Sequence, residues 1–268
     1  MSNFSKMVVL IDADNTPAAK VSDILREIST HGRIVVKRAY GNWKKNNLKN
    51  WEEETKRLAI KAEHQFDYVA GKNATDIALV IQAIDLLYSD IYDAFVLVSS
   101  DSDYTPLAIK LREKGVYVMG VGEQKTPEPF RNSCDEFIFL ENISKNIAVE
   151  VDEDSAELLP KLTKQSRAKA VQEDNDIAEV HTLLKKAYDT YQDDDGYVNV
   201  SSAGSFIKRT KPDFDCRTYG FVKLPQLLAA FPERYEVKSY RGKGTVTIIA
   251  YRCIAQKQKK NGKRYHKR

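Results

Sequence analysis

Apolar residues along the first half of the chain come in short continuous runs, each followed by an amphipathic stretch. The runs are MVVLI (7–11), RIVVKRAY (33–40), a short one near Phe66–Ala70, AFVLVS (94–99), VYVMGV (116–121) and EFIFL (136–140). Helical periodicity fills the gaps over Pro17–Ser29, Glu52–Glu63, Thr75–Tyr88 and Thr105–Lys114. Strands that are apolar throughout, rather than alternating, are buried on both faces. Separated by helices, they predict a doubly wound α/β domain with a parallel sheet.

The pattern changes after residue 145. Residues 146–176 are acidic, then basic, and carry no strand-like run, which reads as a linker. Periodicity returns in DIAEVHTLLKKAYDTYQ, with Ile177, Val180, Leu184, Ala187 and Tyr191 on one stripe. A turn, a strand of two or three residues, a short helix and a third helix over 218–231 follow. An alternating hairpin turning at Gly242–Gly244 completes a winged helix over 177–254. The expected organisation is 1–145, linker, 177–254 and a tail from 255.

Charge changes this picture only locally. The net charge of +4 says little about partners, but residues 257–268 carry seven Lys or Arg and no acid. Such a tail attracts polyanions or merely solubilises an end. Cys134, Cys216 and Cys253 are far apart and form no CxxC pair, so neither a zinc site nor a disulfide framework is expected. No run approaches the roughly 20 apolar residues of a membrane span, and no signal-peptide core opens the chain. A cytoplasmic setting without membrane contact is expected.

In a doubly wound sheet, functional side chains gather beyond the carboxyl ends of the strands. The first strand ends in DADN, with Asp12, Asp14 and Asn15; the fourth ends in SSDSD, with Ser99, Ser100, Asp101 and Asp103; Asp76 opens the helix after the third. Carboxylates brought together repel, and a shared cation relieves them. An all-oxygen donor set selects Mg2+ or Mn2+ over zinc. Metal beside helix N-termini that hold phosphate fits phosphodiester hydrolysis. Simpler roles compete. Asp14 or Asp103 can cap a helix, and Asp76 can serve the helix dipole, whereas capping explains Asp12 and Asp101 poorly. Asn15 can orient a carboxylate or bind phosphate, and Ser99 and Ser100 can hydrogen-bond the attacked phosphate, or Asn15 can serve only the turn and the serines only the strand end.

Lys37, Arg38, Lys44, Lys45, Lys49, Lys72, Lys125 and Arg131 surround this rim, where they can draw in a nucleic-acid backbone or be ordinary solvated surface. Tyr40 and Trp43 can stack on a base or pack against their loop.

The stretches VVLIDADN, GKNATDIAL and FVLVSSDSDYTPLAIKLREKGVYVMGVG make residues 5–145 resemble the NYN family of PIN-like ribonucleases. The resemblance implies a PIN-like, Rossmannoid fold and a divalent-metal pocket acting on RNA. It places the family's acidic positions on Asp12, Asp76, Asp101 and Asp103, and its asparagine on Asn15. Residues 178–252 resemble a LOTUS, or OST-HTH, domain through Gly204, Phe206, Tyr219, Gly220, Phe221, Leu224 and Leu228. That resemblance implies RNA binding or a protein partner. Lys208, Arg209, Lys211 and Arg217 are the candidate phosphate contacts. A homodimer is compatible with all of this.

Three other functions compete. DADNT has the D-x-D-x-T spacing of haloacid-dehalogenase-like phosphatases, with Asp12 as nucleophile, but Asn15 replaces the usual glycine and no cap domain is inserted. The acidic site can also persist in a non-catalytic RNA-binding adaptor. A DNA-reading winged helix fits less well, because 218–231 is poor in base-reading side chains. No G-x-G-x-x-G follows the first strand, which disfavours a dinucleotide oxidoreductase.

Overall fold

A computed structural model describes residues 3–66, 73–143, 174–241 and 247–254. The chain divides into two compact units. In the first, six parallel strands form one sheet: β1 (Phe4–Asp12), β2 (Gly32–Gly41), β3 (Lys61–His64), β4 (Ala94–Val98), β5 (Tyr117–Gly122) and β6 (Glu136–Phe139), in the order β3-β2-β1-β4-β5-β6. Helices α1 (Val21–Ser29), α2 (Lys49–Arg57), α3 (Ala74–Leu87), α4 (Thr105–Glu113), α5 (Glu128–Ser133) and α6 (Leu140–Ile143) connect and close it.

Alternation along β1 divides the core into two layers. Met7, Val9 and Ile11 pack with Val21, Ile24 and Ile28 of α1 and Trp51 of α2. Val8 and Leu10 pack with Leu79 and Ala83 of α3, Leu107 and Leu111 of α4, and Phe130 of α5. The sheet is therefore covered on both faces, as its apolar runs require. Strand order reverses between β1 and β4, so their carboxyl ends open a crevice at the switch point.

Two expectations change in this unit. The helix expected over Glu52–Glu63 ends at Arg57, because Ala59 adopts a positive φ of 51° that no helix continues through. The freed chain forms β3 at Lys61–His64, against Arg38–Gly41. That strand is earlier than the one expected near Phe66–Ala70, of which 67–70 lie outside the described residues. Three of its four residues are charged or titratable (Lys61, Glu63, His64), so an edge strand of this kind gives no apolar signal.

The second unit contains α7 (Asp174–Tyr191), β7 (Val198–Asn199), α8 (Val200–Thr210) up to Ile207, α9 (Leu224–Ala229), β8 (Tyr235–Arg241) and β9 (Thr247–Cys253). The strands form an antiparallel sheet, β7-β9-β8. Ile177, Val180, Leu184 and Ala187 are buried as expected, but Tyr191 is 41% exposed and leaves the stripe. The single helix expected over 218–231 is instead a 3-10 turn at Cys216–Tyr219, then Gly220 at φ 80°, then α9. Pro225 stands in the first turn of α9, where its missing N–H costs nothing, so it starts the helix rather than interrupting it. The hairpin turn, most of the linker and the basic tail lie outside the described residues. No described helix is long and apolar enough to cross a membrane.

Candidate metal and nucleic-acid site

Asp12 ends β1 and is completely buried. Its Oδ2 accepts hydrogen bonds from the Asn15 side-chain amide at 2.7 Å and the Ser99 hydroxyl at 2.8 Å. Its Oδ1 receives only a long contact, 3.3 Å, from the Asn15 N–H. Burial pushes the Asp12 carboxyl up to about 6; the Asn15 and Ser99 hydrogen bonds oppose the rise, and the charges of Asp76 and Asp14 add to it.

The same division of labour recurs in three more carboxylates. Asp101 caps the 3-10 turn Ser102–Tyr104, its Oδ1 accepting the Asp103 N–H at 2.9 Å, while its own N–H donates to Ser99 Oγ at 3.1 Å. Asp103 Oδ2 accepts from the Asn73 amide at 2.8 Å. Asp76, in the first turn of α3, accepts the Tyr104 hydroxyl on Oδ1 at 2.6 Å. Burial raises the Asp76 carboxyl, Tyr104 opposes this, and Asp101, Asp103 and Asp14 raise it further. Burial, with Asp12 and Asp76 adding, lifts the Tyr104 phenol far above its ordinary range, so it stays protonated and donates. Each of the four carboxylates thus uses one oxygen on the scaffold and leaves the other with at most a long contact among the described residues.

Capping is therefore distributed differently from the sequence expectation. Asp101, which capping seemed to explain poorly, is a cap; Asp103 is not. Asp14 caps neither turn at the start of α1 but pairs with Lys45 at 3.3 Å. Ser100 accepts the Glu123 N–H at 2.9 Å and ties down the loop after β5, so Ser99 is the serine that touches Asp12. Tyr40 is wholly buried, its hydroxyl donating to Gln82 Oε1 at 3.1 Å, and cannot stack on a base. Trp43 is fastened to its loop, Nε1–H donating to the Glu63 carbonyl at 3.0 Å and the ring tilted against Trp51 at 6.2 Å.

Several basic side chains are also engaged. Lys37 donates to the Leu58 carbonyl at 2.6 Å, and Arg38 to Gln82 beside Glu63. Lys44 lies 4.8 Å from the centre of the Phe66 ring, Arg131 5.8 Å from that of Phe139, and Lys125 pairs with Glu123 at 2.6 Å. Lys72 lies outside the described residues. Lys208 and Arg209 are in the last turn of α8, Lys211 follows it beside Asp213 at 3.6 Å, and Arg217 is in the 3-10 turn. Tyr104, Asn73 and Gln82 are positioning residues that sequence reasoning missed. Tyr104 had a signal: its spacing with Leu107, Ala108 and Leu111 puts it on a buried face, where a phenol must find an acceptor.

Among the described residues, no three His, Cys, Asp or Glu side chains close around one point as a ready-made metal cage. The donors at the site are carboxylate oxygens, which suit a hard divalent cation that keeps several waters and is held by one or two carboxylates plus substrate phosphate.

A doubly wound parallel sheet with aspartates gathered at its switch point defines an α/β domain of the PIN-like nuclease class. The chain matches the NYN domain model over residues 6–141, half of its length, and belongs to that family. An OST-HTH/LOTUS domain model matches residues 176–247. The first domain type belongs to the PIN-like nucleases, which typically use divalent metals, and the second is associated with RNA. Among solved structures, a protein of unknown function from Vibrio parahaemolyticus matches at 14% identity and a TM-score of 0.43, over 52% of this chain and 94% of that one. Comparison with curated proteins finds no match.

Proposed function

We propose that the first unit is a metal-dependent ribonuclease that hydrolyses RNA phosphodiester bonds. The second unit would engage RNA or a protein partner. One observation carries the reading: four aspartates at the switch point each anchor one oxygen to the scaffold and leave the other with at most a long contact among the described residues. Asp12 and Asp101 would hold Mg2+ or Mn2+, with Asp76 and Asp103 completing the acidic wall. A cation bound there supplies the charge that activates water and offsets the developing phosphorane charge. Asn15 and Ser99 fix the Asp12 carboxylate, and Tyr104 fixes that of Asp76, so neither has to reorganise during reaction.

The decisive experiment is cleavage of end-labelled single-stranded and structured RNA, with matching DNA, in Mg2+ or Mn2+. Wild type is compared with Asp12→Asn and Asp101→Asn. Metal-dependent RNA cutting that both substitutions reduce by on the order of 100-fold or more supports the reading. Equal cutting by all three proteins, or no cutting with unchanged RNA binding, refutes it. One second reading rests on the OST-HTH/LOTUS match, a non-catalytic RNA-binding adaptor, which the last outcome would establish.

A further inference from the structure

Two cavities flank the aspartates, one in each layer of the unit. In the α1–α2 layer a cavity of about 370 Å3 is floored by Ala13, Leu48 and Trp51 and rimmed by three carboxamides, Asn15, Asn47 and Asn50. Its size lies in the ~300–1,000 Å3 range of small-ligand sites, and its lining, an apolar base with a few convergent polar groups, is theirs too. Asn47 and Asn50 stand three residues apart on the turn leading into α2, so they share a face. Neither side chain is hydrogen-bonded among the described residues, and both are exposed. Asn15 spends its amide N–H on Asp12, which leaves its carbonyl oxygen for the cavity.

In the α3–α4 layer a groove of about 630 Å3 runs from Asp76 and Asp103 along Ile77, Val80, Ile81 and Pro106. Here the nearest amide, Asn73, is already committed to Asp103. Each cavity borders part of the acidic cluster, Asp14 in the first and Asp76 with Asp103 in the second, but they differ in chemistry. One offers unpaired donors and acceptors around an apolar floor; the other offers apolar walls.

Carboxamides read a base because they present a donor and an acceptor side by side to its edge. An apolar wall accepts the face of any base and reads none. Resting on the ribonuclease reading above, we propose that base identity is read on one side of the scissile phosphate only. Asn47 and Asn50, with the Asn15 carbonyl, select the nucleotide lodged in the α1–α2 cavity, and the nucleotide on the α3–α4 side is held by contact with its face. A base edge is free for such reading only in unpaired RNA.

The test separates this idea from the nuclease reading by using a readout that needs no cleavage. Trp51 floors the cavity and Trp43 is the other tryptophan in the chain, so Trp43→Phe assigns both indole N–H resonances. The full-length protein, in EDTA, is titrated with AMP, CMP, GMP and UMP while the Trp51 resonance is followed by NMR. The expected result is a preference of about 10-fold for one base over the weakest, reduced to under about 2-fold in Asn47→Ala/Asn50→Ala. A cleavage map of randomised single-stranded RNA in Mn2+ should show the same preference on one side of the cut, flattened in that variant. Equal response to all four nucleotides, or a preference that persists in the double variant, overturns the proposal. Cutting without base bias overturns it as well, while leaving the nuclease reading intact. Asparagine-dependent selectivity in a protein that never cuts keeps the base pocket and removes the nuclease.

Discussion

Replacing Asp12 by asparagine should make the metal-free protein more stable. The Asp12 carboxyl titrates near 3.8 when unfolded and near 6 when folded, chiefly because burial penalises its charge. A carboxyl whose folded value is raised contributes most below the unfolded value, and that contribution is lost as pH rises from about 4 to about 6. At roughly 1.4 kcal/mol per pH unit, ionised Asp12 costs the folded state about 3 kcal/mol above pH 7 and about 0.5 kcal/mol at pH 4. Asparagine carries no such charge, and its carbonyl oxygen can still accept from Asn15 and Ser99. Urea unfolding of wild type and Asp12→Asn in EDTA, at several values between pH 4 and 8, measures the difference directly. Tryptophan fluorescence is the right probe, because Trp43 and Trp51 both lie in the first unit. The constant part of the difference absorbs any change in packing or hydrogen bonding. His31, whose value is raised first by its hydrogen bond to Glu136, titrates in both proteins and cancels. The variant's advantage should therefore grow by about 2.5 kcal/mol from pH 4 to pH 8. A gap that stays flat across this range would refute the claim that Asp12 is held ionised against its environment.

Three further outcomes follow from the same geometry. Millimolar Mn2+ at pH 7.5 should raise the melting temperature of wild type but not of Asp12→Asn, with about 2.7 kcal/mol gained at a concentration 100-fold above Kd; equal shifts would place the cation elsewhere. Tyr104→Phe removes the donor to Asp76, so the acid limb of the cleavage profile should move to higher pH and the rate fall by on the order of 10-fold, with the fold retained by circular dichroism. Gly32→Ala should cost about 2–3 kcal/mol in urea unfolding, because a Cβ there would sit 2.2 Å from the Phe4 carbonyl oxygen. Gly115→Ala, in open space at φ 80°, should cost only about 1 kcal/mol, and the reverse ranking would show the β1–β2 contact to be loose.

Sequence pattern reached furthest where burial is two-sided. MVVLI and AFVLV are apolar at every position because helices cover both faces, and those two strands carry Asp12 and Asp101 into the crevice. The pattern was silent at β3, an exposed edge strand written in Lys, Glu and His, and misread 218–231, where a left-handed Gly220 divides a run of helix formers. The identity of the acidic residues was legible, but not which oxygen of each is anchored. Whether Ser99 or Ser100 faces Asp12 depends on strand register, which flips with every residue. That Asp101 rather than Asp103 caps the turn depends on where a 3-10 segment begins, and propensity cannot fix a boundary to one residue.

The anchored oxygens explain why an acidic cluster of this kind is stable enough to keep. Asp101, Asp103 and Asp76 each accept a hydrogen bond that also holds the β4–α4 turn or joins it to α3: the Asp103 N–H, the Asn73 amide and the Tyr104 hydroxyl. Asp12 and Asp76 both sit where burial outweighs their hydrogen bonds, and the effect is larger at Asp12, so the electrostatic strain of the site is greatest there. A cation binding beside Asp12 would relieve that strain and gain correspondingly in affinity. Chelation, stability and catalysis are then predicted to respond together to substitution of Asp12.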